Sequence, residues 1–144
     1  MDGQPGKPPA ARHRAWLEAA WRLYVAALIA LLWAPMPARP PAFPGADKVF
    51  HAVAFAVATV LCRAAGRGSA WALWFAAALA LVTEGGQAVV DDWFWRPLGW
   101  PPAERTPEVA DALADLAGAA VGLGVVRWAL RARMRRNGRD SNPR

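Results

Sequence analysis

The 144-residue chain holds one cysteine, Cys62, two lysines, Lys7 and Lys48, and a single tyrosine. One cysteine excludes an internal disulfide and a cysteine-based metal cage, and with them a disulfide-stapled secreted domain and a zinc ribbon. With lysine nearly absent, fifteen of the seventeen basic residues are arginine. In a chain rich in Ala, Gly and Pro that is a compositional bias rather than a nucleic-acid signature, and no nucleic-acid partner is expected. What is abundant points two ways: 56% of residues are hydrophobic and nine are Trp, yet the formal charge is +6 and the mean hydropathy only +0.13. Soluble domains of this size rarely hold so many tryptophans, and disordered chains rarely hold so much apolar content. The arrangement along the chain decides between them.

Four apolar stretches, at about 17–34, 46–65, 70–90 and 109–130, are separated by short polar ones. Each has the length a helix needs to cross a hydrocarbon core of about 30 Å. Soluble amphipathic helices would carry a polar stripe, whereas 70–82 and 116–126 are apolar or small on every face. The expected fold is all-α, an integral membrane four-helix bundle over 16–130, with basic tails at 1–15 and 131–144. The Pro-rich run from Pro35 to Pro44 reads as a short extended loop. It also makes a poor signal-peptide cleavage site.

Thirteen Lys and Arg fall on the side of the two tails and only four, Arg39, Lys48, Arg96 and Arg105, on the other. With acidic residues divided the opposite way, the formal charge is +10 on one side and −4 on the other. The positive-inside rule then places both termini in the cytoplasm, and the expected location is a bacterial plasma membrane, multi-pass. The loop 91–107, with Trp93, Phe94, Trp95 and Trp100 among four prolines, reads first as an interfacial aromatic belt and second as a ligand platform.

Ionisable groups within spanning segments cost about 2.5–3.5 kcal/mol at the helix centre and usually face the bundle interior. Here they gather in the outer half. His51, Glu84 and Asp115 are expected roughly 7–9 Å below the boundary, with Asp47, Lys48, Gln87 and Asp111 in a shallower layer at roughly 1–5 Å. Asp47 and His51 are four residues apart, Glu84 and Gln87 three, and Asp111 and Asp115 four, so each helix offers its pair on one face. Simpler roles exist for some of them. Asp47 and Lys48 suit a helix cap and a snorkelling anchor, Asp111 a helix-dipole acid, and His51 a hydrogen-bonded packing residue. Glu84 and Asp115 need partners at their depth, with Lys48 or Arg105 the expected ones. Below them, Gly118 and Gly122 form a small-xxx-small pattern that permits close helix packing.

The run Asp47-Lys48-Val49-Phe50-His51, then Glu84-x-x-Gln87, then Arg105-x-x-Glu108-x-x-Asp111-x-x-x-Asp115-x-x-Gly118 resembles the VanZ-like family of small bacterial membrane proteins. The resemblance covers about 46–122. Glu108 stands where that family usually has Asp, and Asp115 where it usually has Asn, which adds a carboxylate. The resemblance implies a multi-pass membrane protein, some of whose relatives confer resistance to the glycopeptide teicoplanin.

Three functions compete. An accessory cell-envelope protein would bind a polar lipid headgroup, a cell-wall precursor or a glycopeptide, with Lys48 and Arg105 on phosphate or carboxylate and His51, Glu84, Gln87, Asp111 and Asp115 hydrogen-bonding around it. It needs no cofactor. A membrane-embedded enzyme would use His51 as general base with Glu84 or Asp115 as orienter or acid. A His with two carboxylates also suits a metal with open positions. That reading finds no Ser or Cys nucleophile on the outer side, leaving Thr83 and Thr106. A proton pathway lacks its lower half, because 70–82 and 116–126 offer no polar side chain. The charge asymmetry makes a first prediction. Alkaline phosphatase fused after residue 144 is expected to be inactive and a fluorescent protein fused there bright, whereas an active phosphatase fusion would overturn the assigned orientation.

Overall fold

The computed structural model describes residues 9–35, 43–100 and 108–140, and helices are the only regular elements among them. Helix α1 spans Pro9–Trp33, α2 Ala46–Ala64, α3 Ser69–Val90 and α4 Val109–Asp140. A π-helical turn, Asp91–Trp95, and a 3₁₀ turn, Arg96–Leu98, continue directly from α3.

The ends follow local chemistry. Helix α1 stops ahead of Pro35, since a residue before proline is disfavoured in the α region. Helix α2 begins after Gly45, whose φ of 78° is open to glycine at no steric cost. At its other end Gly66 takes φ 90°. There Gly66 N–H donates to Arg63 O at 3.0 Å and Arg67 N–H to Cys62 O at 3.3 Å. That bond pair is the Schellman ending, which satisfies the last carbonyls and turns the chain sharply into α3. Gly99, at φ 75°, ends the 3₁₀ turn in the same left-handed conformation.

Three helices are long and apolar enough to cross a membrane: α1 over Ala11–Trp33, α3 over Ser69–Gln87 and α4 over Val109–Asn137. The sequence led us to expect four. Helix α2 is the exception because Asp47 in its first turn, Lys48 beside it and Arg63 in its last turn crowd charge into only 19 residues. It packs most extensively against α4 and also touches α1 and α3, while Val49, Phe50, Val53 and Val57 leave one of its faces exposed. The other helices carry the most exposed apolar side chains, with Trp16, Leu23, Leu81, Val121 and Trp128 each at least 61% exposed. Exposed apolar side chains of this number mark a face for membrane or protein contact.

The flanks differ from expectation too. Helix α1 starts within the expected N-terminal tail, and α4 runs through most of the expected C-terminal one, because Ala and Arg are strong helix formers. The expected loop after residue 90 is helical as far as Leu98; its remainder, 101–107, lies outside the described residues, as do 36–42.

Two buried clusters fill the interior. One joins Leu28 and Leu32 of α1, Phe55 of α2, Leu79 and Ala80 of α3 and Ala119 of α4; the other joins Trp21, Cys62, Ala72 and Leu123 nearer the arginine-rich end. The closest approach is between α2 and α4. A Cβ at Gly118 would land on the carbonyl of Ala52, and one at Gly122 would lie 2.6 Å from Ala56 O and 3.1 Å from Thr59 Cβ. Gly124, two residues on, faces open space. Gly118→Ala is therefore expected to destabilise the fold by roughly 1–3 kcal/mol through overpacking. Gly124→Ala should be neutral or stabilising by up to about 1 kcal/mol, because alanine is the better helix former. Unfolding of both variants in detergent, followed by circular dichroism, measures the difference.

Candidate functional site

The polar residues of α2, α3 and α4 converge at one end of the helices. Asp47, Lys48 and His51 come from the first two turns of α2, Glu84 and Gln87 from the last two of α3, and Asp111 and Asp115 from the first two of α4. They form two layers.

The shallower layer is centred on an ammonium group. Lys48 Nζ donates to Asp47 Oδ2 at 3.0 Å and to Glu108 Oε2 at 3.2 Å, and it lies 3.4 Å from Asp111 Oδ1. The Asp111 contact is an ion pair without a hydrogen bond's alignment, since Asp111 Oδ1 has no hydrogen-bond partner among the described residues. Lysine here holds the starts of α2 and α4 together.

The deeper layer is centred on an imidazole. His51 and Asp115 are buried, Asp115 completely, and His51 Nδ1 lies 2.9 Å from Asp115 Oδ1. Glu84 Oε1 is 3.9 Å from the same nitrogen, and Glu84 Oε2 accepts the backbone N–H of Glu108 at 3.3 Å. Gln87 is buried one turn from Glu84, on the side nearer the helix end. Packing decides this: the α3 face carrying Glu84 and Gln87 turns inward, while Leu81 and Val82 face outward.

Glu84 and Asp115 thus take partners other than the expected Lys48. Lysine sits one layer too high and is engaged by three carboxylates, and the proton donor at depth is His51. Arg105, the other expected partner, lies outside the described residues. Gly118 and Gly122 are where their spacing placed them, beneath Asp115 on the contact with α2. Glu108 was not singled out for the site, although it reaches both layers through its side chain and its backbone N–H. Its position three residues before Asp111, on the same face of the first turn, was the available signal.

Thr83 is fully buried, and its hydroxyl donates back to its own helix, to Leu79 O at 3.0 Å and Ala80 O at 3.1 Å. That leaves it poorly placed as a nucleophile. Thr106 lies outside the described residues.

The aromatic segment braces this end. Trp33 Nε1 donates to Thr83 O at 3.3 Å, and Trp95 Nε1 donates to Trp33 O at 2.8 Å, which satisfies a carbonyl in the last turn of α1. The indole of Trp33 fills the space a side chain at Gly86 would need.

Two sets of donors have the composition and proximity to hold a cation. His51, Glu84 and Asp111 form one, and Asp47, Glu108 and Asp111 the other, each set within 4.8 Å. The second set already surrounds the Lys48 ammonium. Three buried carboxylate oxygens, Glu84 Oε1, Asp111 Oδ1 and Asp115 Oδ2, have no hydrogen-bond partner among the described residues. The open valences are therefore all acceptors, ready for a donor or a cation.

No family model, curated protein or solved structure matches the chain, so the VanZ-like resemblance rests on the three motifs.

Asp115→Ala would leave the buried His51 without its hydrogen-bond partner, which is expected to cost roughly 1–3 kcal/mol. Asp92→Ala removes the exposed ion pair with Arg96, 3.0 Å apart, and should cost less than about 0.5 kcal/mol. Equal losses in detergent unfolding would show that the buried bond is not formed.

Proposed function

We propose that the chain is a multi-pass protein of a bacterial plasma membrane, of the VanZ-like kind, in which all four helices span the bilayer and both termini are cytoplasmic. Helix α2 crosses with the apolar face of Val49, Phe50, Val53 and Val57 toward lipid and its charged ends at the two interfaces. The polar end then faces the outer leaflet, where it binds the polar group of a lipid, a lipid-linked cell-wall precursor or a glycopeptide.

One observation carries this reading: the buried acceptors Glu84 Oε1 and Asp115 Oδ2 lie under a Lys48 that Asp47, Glu108 and Asp111 already hold. An occupied lysine is a poor receiver of phosphate. Unpaired carboxylate oxygens favour groups that donate, so the ligand chemistry supported best is the hydroxyls or ammonium of a sugar, amino-sugar or aminoalkyl headgroup. A role in envelope maintenance or antibiotic tolerance follows from that ligand class and from the resemblance.

A second reading is favoured by the 2.9 Å contact between His51 and Asp115. A carboxylate that orients an imidazole is the pairing a general base needs, so an enzyme acting on an outer-leaflet lipid-linked substrate through activated water has its minimal parts here.

Mass spectrometry of lipids retained by the protein in detergent tests the binding reading. The wild type is expected to keep a hydroxyl- or amine-bearing lipid or precursor at about tenfold the level of a Glu84→Gln variant, as loss of a charge-assisted hydrogen bond implies. Identical lipid profiles in the wild type, Glu84→Gln and His51→Gln would contradict it. Turnover of the retained lipid by the wild type, but not by His51→Gln, would favour the enzyme.

A further inference from the structure

We infer that His51, Glu84 and Asp111 bind a divalent transition-metal ion of the zinc or manganese class, held between the two polar layers. The inference deepens the binding reading of the same pocket. It begins from charge. Asp47, Glu84, Glu108, Asp111 and Asp115 bring five carboxylates to one end of the helices, and among the described residues Lys48 and, when protonated, His51 are the cations in contact with them. Unpaired buried charge is costly, and a divalent ion supplies the largest compensation for the space it takes.

Position narrows the choice. Of the two donor sets that share Asp111, the shallower one holds its cation in the form of the Lys48 ammonium, while the deeper one combines an imidazole with two carboxylates. Its Glu84 is more than nine-tenths buried, and Oε1, the oxygen on the His51 side, has no hydrogen-bond partner among the described residues. Asp111 Oδ1 is likewise unbonded, and its 3.4 Å approach to Lys48 is the longest of the three lysine contacts. It can turn to an ion while Lys48 keeps Asp47 and Glu108.

The surroundings suit coordination. Asp115 on Nδ1 leaves the lone pair on Nε2, the carboxylate–histidine arrangement of metal sites, and a ring nitrogen of His51 lies within 4.8 Å of carboxylate oxygens of Glu84 and Asp111. Donors within 4.8 Å of one another need a contraction of about 1 Å to meet the roughly 2.1 Å bonds of such an ion. That is within the reach of carboxylate rotamers. One nitrogen and two carboxylates favour the zinc and manganese class over calcium, which takes oxygen ligands alone. Three protein ligands leave a position open for water or a ligand hydroxyl.

The test uses the full chain in detergent, stripped with EDTA and then titrated with zinc or manganese chloride alone. The expected result is one ion per chain by elemental analysis, with affinity at least about tenfold weaker in His51→Gln and in Glu84→Gln and unchanged in Asp92→Asn. Circular dichroism melts of each variant confirm that the fold is kept. Failure of the wild type to retain stoichiometric metal would overturn the inference. So would retention in Glu84→Gln with loss in Asp47→Asn, which would move the ion to the shallower carboxylates. Lipid retention separates the two readings: a lipid kept equally with and without EDTA leaves the headgroup reading standing without the metal, and a bound metal with no retained lipid does the reverse.

Discussion

Gly118 and Gly122 let α4 lie directly against the backbone of α2 at Ala52 and Ala56, and that contact decides where Asp115 goes. Asp115 is one turn above Gly118, and His51 is the residue before Ala52, so the glycine contact delivers the carboxylate to the imidazole at 2.9 Å. No larger side chain fits there without moving one helix off the other. The Lys48 contacts lie a further turn up, where its long side chain reaches Glu108 and Asp111 at the start of α4. Packing at the glycines, hydrogen bonding at His51 and ion pairing at Lys48 form a sequence along one interface, each level set by the one below.

Helix α3 joins this pair from the side. Glu84 approaches His51 and receives the backbone N–H of Glu108, while Trp33 and Trp95 tie the end of α1 and the π-helical turn to the same region. At the opposite end Arg67 pairs with Glu18 at 2.8 Å and lies 5.3 Å from the ring centre of Trp71. The two ends therefore differ in kind: one is held by carboxylates around a single lysine and histidine, the other by arginine against tryptophan. The +10 and −4 division of charge in the sequence has a structural counterpart in that difference.

Much of this was legible in the residues. The i, i+4 spacings put His51 with Asp47 and Asp115 with Asp111 on one face of each helix, and Glu84 and Asp115 stood out because they sit inside apolar runs. Their partners were not legible. Whether a buried carboxylate meets Lys48 or His51 depends on how far α4 slides along α2, which is fixed by the fit at Gly118 and leaves no trace in spacing alone. Helix α2 was read as a span equal to the others because its middle is apolar; the charges at its two ends weigh against that over only 19 residues. Glu108 was read as a motif position and not as a site residue, because half its role is played by its backbone N–H, which every residue but proline possesses.

The central claim is that His51 and Asp115 form one buried bond across the α2 and α4 contact. A double-mutant cycle on His51→Ala and Asp115→Ala, read as unfolding free energy in bicelles, measures it most directly. The account predicts a coupling of about 1 kcal/mol, toward the upper part of the range found for hydrogen bonds inside membrane proteins. Additivity of the two substitutions within about 0.3 kcal/mol would contradict it.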